Sequence, residues 1–257
     1  MKATPIFSQT ISVNGIEMYY EIRGDGEPLV LLHGATGIGA NWKFIFKQPP
    51  DGYQLIAPDL RGHGRSTNPS GKFTFQQSAH DVFALLDHLG IEQFKVIGSS
   101  LGAKTLLHIA TQQPMRVEAM VLVSAAPYFP AQARTIMQQV TPESRTIGQW
   151  QQMRQWHKQG DEQIRALWRM GVEFKDSYTD MNFTPPYLSI ITARTLIVHG
   201  DRDPLYPVDL AIELYTAIPR SYLWVIPNGG HSPIFGNIAV QFSENSLAFL
   251  DGKWEHS

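Results

Sequence analysis

The pentapeptide Gly98-Ser99-Ser100-Leu101-Gly102 sets two hydroxyls between two glycines, and Gly229-Gly230-His231 supplies an imidazole late in the chain. A serine hydroxyl is a weak nucleophile near neutral pH and becomes effective when a base within hydrogen-bond reach takes its proton. A histidine serves best when a carboxylate holds its other ring nitrogen. His199-Gly200-Asp201-Arg202-Asp203-Pro204 lies between the two segments and offers two aspartates. Serine, acid and base in that order point to acyl transfer through a covalent serine intermediate.

Of the two serines, Ser100 stands at the centre of G-x-S-x-G. Ser99 occupies the variable position, where its side chain is expected to point away and bond local backbone. The glycines suit a sharp turn from strand to helix, because a Cβ at either position would collide with the neighbouring strand or helix. An apolar run, Phe94–Ile97, leads into this turn, and Leu101–Thr111 leaves it as a helix stopped before Pro114.

The elements that must position these residues are legible in outline. Residues 8–23 read as two strands around Asn14-Gly15, a strong hairpin signal. Pro28–Leu32, Gln54–Ala57, Phe94–Ile97, Val117–Val123 and Thr195–Val198 are short, nearly continuous apolar runs, as in a parallel sheet covered on both faces. Ser221–Ile226 adds a further strand before the late histidine. Between them, Ala79, Val82, Phe83, Leu86 and Leu89 form one apolar helical stripe, and Ile238, Phe242, Leu247 and Leu250 mark a last amphipathic helix. The pattern predicts an α/β fold with a mostly parallel sheet of about eight strands flanked by helices. From Pro127 to Pro186 no strand signal occurs, and the stretch holds Trp150, Trp156 and Trp168 with Met137, Met153, Met170 and Met181. It reads as a helical cap inserted at 127–186 into a core domain formed by 1–126 and 187–257.

With these motifs in this order, the chain resembles the α/β-hydrolase fold family, as a capped serine hydrolase of the carboxylesterase type. The likeness also includes Leu32-His33-Gly34 and the segment from Ala57 to Ser66. The resemblance implies a triad of Ser100, Asp203 and His231, with Asp203 chosen over Asp201 by the family pattern G-x-x-D; Asp59 and Asp209 are more distant candidates. It implies an oxyanion hole built from the backbone N–H groups of Leu101 and, from the loop after His33-Gly34, of Ala35. His33 is expected to hold that loop rather than react. Arg61, His63 and Arg65 look like a phosphate patch but are expected to be structural. Ring-cleavage carbon–carbon hydrolases of this family usually carry tryptophan after the histidine, whereas Ser232-Pro233 follows here.

The expected reaction is hydrolysis of carboxylic esters of small to medium, mainly apolar acyl or aryl groups. Carbon–carbon hydrolysis, lactone hydrolysis or acyl transfer with the same triad, or a near-silent binding site, are the alternatives. Neither cofactor nor metal is required, since no G-x-G-x-x-G opens a helix and no H-E-x-x-H occurs. A formal charge of −2 without basic runs argues against nucleic acid, and no apolar run approaches the ~20 residues of a membrane span. There is no cysteine, and Met1–Pro5 lacks the apolar core of a signal peptide, so a cytoplasmic protein is expected. Monomer and homodimer are equally compatible with the sequence.

Overall fold

The structure is a computed structural model and describes residues 6–254. Strands β1 (Ile6–Val13) and β2 (Ile16–Arg23) form the N-terminal hairpin. Asn14 and Gly15 close it with φ of 46° and 76°, both in the left-handed region that a two-residue hairpin turn of this twist requires.

Six more strands follow: β3 (Glu27–Leu32), β4 (Tyr53–Pro58), β5 (Phe94–Ser99), β6 (Val117–Val123), β7 (Arg194–Gly200) and β8 (Ser221–Ile226). The eight form one sheet in the order β1-β2-β4-β3-β5-β6-β7-β8. β2 runs antiparallel to both its neighbours, and all pairs from β4 to β8 are parallel. Every residue of β5 and β7 is buried, which explains why their sequences are apolar runs rather than alternations.

Helices α1 (Phe75–His88) and α2 (Leu101–Gln112) pack together on one face, with a core that includes Val30, Leu32, Val82, Leu86, Leu106 and Leu107. The other face buries Leu29, Leu31, Val121 and Val198 beneath the C-terminal helix, whose Phe242 and Phe249 fill that core. Between β6 and β7 lie only helices and turns: α3 (Ala131–Met137), α4 (Ile147–Trp156), α5 (Asp161–Glu173) and α6 (Pro185–Leu188), with one isolated bridge, Tyr128 to Asn182. α6 straddles residue 186, where the inserted segment was expected to end, and packs against α7 (Val208–Ala217). The last helix, α8, spans Ala239–Leu250. Among the described residues no helix is long and apolar enough to cross a membrane.

Asp180, from the segment between α5 and α6, reaches back to α1. Its two carboxylate oxygens accept the N–H groups of Phe75 and Gln76 at 2.7 and 3.2 Å, tying the inserted helices to the sheet's main helical layer.

Candidate active site

Ser100 sits at the turn between β5 and α2 with φ 50° and ψ −104°, a left-handed conformation that costs energy for a residue with a Cβ. The glycines on either side are required for contact reasons. A Cβ on Gly98 would lie 2.7 Å from the Gly102 carbonyl oxygen, and one on Gly102 would lie 2.3 Å from that of Leu32 in β3. Helix, nucleophile strand and adjacent strand therefore meet too closely for any other residue.

The three residues expected to form a triad converge at the carboxyl ends of β5, β7 and β8. His231 Nε2 lies 2.7 Å from Ser100 Oγ, and His231 Nδ1 lies 2.7 Å from Asp203 Oδ2. The Asp203 side chain is fully buried, and its other oxygen accepts the N–H groups of Leu205 and Tyr206 at 2.8 and 3.1 Å. Burial alone would raise this carboxyl, but the His231 hydrogen bond and charge and the two backbone donors outweigh it and hold it below the usual carboxylate range. An ionised Asp203 fixes the proton of His231 on Nδ1 and leaves Nε2 free to accept from Ser100. Asp201 is exposed and lies 4.0 Å from Arg202, and Asp209 lies in the first turn of α7.

Ala35 and Leu101 both line the cavity above Ser100. Among the described residues neither N–H has a protein acceptor: Ala35 lies in the turn after β3, and Leu101 opens α2, whose first N–H groups have no partner within the helix. The dipole of α2 adds positive potential at the same place.

The Ser99 expectation needs correction. Its hydroxyl bonds not local backbone but Ser232 Oγ, 2.9 Å away and 133 residues later. Ser232 has φ 54°, and its N–H donates to Ser124 Oγ at 2.9 Å. These serines hold the loop behind His231, a role that residue type alone does not reveal. The loop of Asp59 to Ser66 is filled by internal bonds. Arg61 makes a two-pronged ion pair with Asp81 at 2.7 Å, and Asp59 accepts the N–H groups of Gly39 and Arg65. Arg65 lies 4.5 Å over the Tyr19 ring. His33 takes the N–H of Leu60 on Nε2 and donates from Nδ1 to the Gly34 carbonyl, so both ring nitrogens serve the loop.

The cavity above Ser100 has a volume of about 570 Å³ and is roofed by α3, α4 and α5. Met137, Met153, Trp156, Trp168, Met170 and Phe174 supply much of its wall, and Trp150 stands edge-on against Trp168 with ring centres 4.6 Å apart. A second cavity of about 590 Å³ lies on the other side of the loop at residues 34–37, with Trp42, Phe44, Trp156 and Phe235 in its wall. Lys104, one turn along α2 from Ser100, also lines the first cavity. Sequence reasoning passed over it. The available signal was that Leu101–Thr111 is apolar around most of its circumference, which buries whatever charge it contains.

The fold and this constellation define a hydrolase, and the chain belongs to the alpha/beta hydrolase fold family, whose model matches residues 27–237. Serine hydrolase BPHL from Mus musculus is 27% identical over 262 residues, covering 94% of this chain and 84% of that protein. The 2-hydroxy-6-oxo-6-(2'-aminophenyl)hexa-2,4-dienoic acid hydrolase of Metapseudomonas resinovorans is 23% identical over 263 residues, covering 93% of this chain and 89% of its own. Among solved structures, a meta-cleavage product hydrolase from Pseudomonas fluorescens shares the fold with a TM-score of 0.78 at 22% identity, covering 95% of this chain and 98% of that one.

Proposed function

We propose that the protein hydrolyses carboxylic esters of small molecules through an acyl intermediate on Ser100. The observation that carries this reading is the hydrogen-bonded chain from Asp203 through His231 to Ser100, opening on a largely apolar cavity. Ser100 Oγ attacks the ester carbonyl carbon while His231 Nε2 takes its proton. The negative charge that develops on the carbonyl oxygen is met by the N–H groups of Ala35 and Leu101, which have no acceptor among the described residues. Collapse of the tetrahedral intermediate breaks the bond to the alcohol oxygen, which leaves with the proton from His231. Water then gives a proton to His231 and attacks the acyl carbon. The acid departs, and Ser100 recovers its proton. Asp203 orients the ring and stabilises its charged form throughout.

A second reading, hydrolysis of a carbon–carbon bond beside a ketone, is favoured by the likeness over 93% of the chain to a hydrolase of a dienoic acid. p-Nitrophenyl esters of increasing acyl length separate the two. Turnover by the wild type that disappears in Ser100→Ala supports the ester reading, and its fall beyond some length measures the acyl space. A folded wild type that releases no p-nitrophenol from any member would overturn it in favour of the carbon–carbon reaction.

A further inference from the structure

Lys104 is an unusual residue to find in the wall of this cavity. It is 3% exposed, and its ammonium group donates one hydrogen bond, to Tyr206 Oη at 3.0 Å. No carboxylate lies within ion-pair distance of it among the described residues, and its remaining donors have no protein acceptor. Instead three aromatic rings surround it: Tyr206 at 4.7 Å, Phe129 at 5.7 Å and Phe75 at 5.8 Å from ring centre to Nζ. Such faces favour a cation without neutralising it. Burial pushes the ammonium down to about 7, and the charge of Asp203 works against that.

A buried ammonium without an ion-pair partner costs several kcal/mol, so a cavity that holds one beyond ion-pair distance of any described carboxylate is suited to a counterion from elsewhere. The lining of this cavity contains no aspartate or glutamate, and among the described residues the guanidinium of its second cation, Arg145, bonds the Thr141 carbonyl and the Ser144 hydroxyl. Three of the other buried cations have a carboxylate partner, Arg194 meeting Glu118 at 3.5 Å, whereas Arg23 bonds the Phe46 carbonyl and lies outside the cavity. Arg61 is saturated by Asp81, and Lys95 meets Glu27 at 2.6 Å. The backbone N–H of Lys104 donates to the Ser100 carbonyl, which fixes it one helical turn, ~5.4 Å along the axis, from the nucleophile.

We infer that Lys104 is a specificity-determining residue that binds an anionic group, most simply a carboxylate, carried by the substrate a few bonds from the carbonyl that Ser100 attacks. This rests on the hydrolase reading of the same cavity and narrows it to esters bearing a negative charge. The anion would accept the ammonium protons that Tyr206 leaves free, and the aromatic ring cluster would exclude water from the pair. Charge-assisted bonds in such a site are about twice as strong as neutral ones, so the neutral analogue should bind more weakly by at least about tenfold.

Monoethyl adipate and diethyl adipate test this directly, one carrying a carboxylate where the other carries a second ester. Calorimetric binding to the Ser100→Ala protein needs no turnover. The monoanion is expected to bind at least about tenfold tighter than the diester. In Ser100→Ala carrying Lys104→Met, which keeps the side-chain length and removes the charge, that ratio should fall to about one. Equal binding of the two probes by Ser100→Ala overturns the inference without any Lys104 variant, and so does a ratio that survives Lys104→Met. Ethanol release by the wild type is read separately. Anion-selective binding without ethanol release would sink the ester reading and leave the anion site standing, whereas indiscriminate hydrolysis of both probes would do the reverse.

Discussion

Two sets of histidines lie on either side of the loop at residues 34–37, and they are built to opposite ends. On one side His231 joins a carboxylate to a hydroxyl, with 23% of its side chain exposed to the cavity. On the other, His33, His63 and His157 cluster within the fold with tilted rings, centres 4.9 and 6.1 Å apart, and bond backbone only among the described residues. His157 accepts the N–H of Gly64 on Nδ1 at 2.8 Å and donates from Nε2 to the Thr36 carbonyl at 3.1 Å. It therefore ties the end of α4 to the Asp59–Ser66 loop and to the turn that carries Ala35. The difference teaches that an imidazole does chemistry when one nitrogen is held by a charge and the other faces a reactive group. With both nitrogens spent on backbone, as in His33 and His157, or with one on backbone and the other buried without a partner, as in His63, it is architecture.

The sharpest way to break this comparison is to alter what holds His231. In Asp203→Asn the amide keeps the shape of the carboxylate but not its charge, and it can hold the wrong tautomer. The expected result is a fall in kcat of ~10⁴-fold, about 5.5 kcal/mol of barrier, on whichever ester proves best. Within-tenfold activity would mean that His231 does not depend on Asp203, and the contrast between the two sets would dissolve.

The buried trio makes the next largest prediction, through pH. Burial pushes both His33 and His157 down to about 4, and it drives His63 down as well. Each is thus neutral in the folded protein at a pH where the unfolded chain, near 6.5, takes up a proton. Their contribution is intact above pH ~6.5 and is lost as pH falls toward 4, at about 1.4 kcal/mol per pH unit for each ring. Asp59 acts in the opposite direction. Burial raises its carboxyl to about 6, so between pH ~6 and 3.8 the folded state binds a proton that the unfolded chain does not. It offsets roughly one histidine. The net expectation from His33 and His157 against Asp59 is a loss on the order of 3 kcal/mol between pH 6.5 and 4, read by urea denaturation at successive pH values. A flat profile across that window would show that the trio is not held neutral by the fold.

What the sequence made legible, and what it hid, follow one physical division. Strands buried on both faces announce themselves as apolar runs, and glycines that permit close approach announce the turn at Ser100, because each depends on residue type at a local spacing. Ser100, Asp203 and His231 were legible for the same reason, since each closes a strand in a recognisable loop. The Ser99–Ser232 bond, the His157 bridge and the setting of Lys104 were not. Their partners are 133, 93 and 102 residues away respectively, and for His157 they are backbone atoms, which every residue possesses. α7 was missed as well. It is only ten residues long and follows a Pro-rich loop, so its helical stripe has little length in which to show.

The smallest effect sharpens the comparison most, because it tests architecture through catalysis. His157→Leu fills the same space without either hydrogen bond and leaves the Gly64 N–H and the Thr36 carbonyl without their protein partner. A cost of about 2 kcal/mol in stability follows from unsatisfied groups of this kind. Thr36 adjoins Ala35, so under the proposed mechanism a looser loop weakens the Ala35 N–H as an oxyanion donor more than it weakens binding of the ester before attack. The expected kinetic signature is a fall in kcat of a few fold to about tenfold with KM nearly unchanged, as for an interaction made only in the transition state. The same variant should also flatten the acid limb of the stability profile, since one of its depressed histidines is gone. Lower stability with unaltered kcat would confine His157 to holding the helices together and detach it from the oxyanion loop. A loss of kcat as large as that of Asp203→Asn would instead place it among the reacting groups, and the division between the two sets of histidines would fail from the other side.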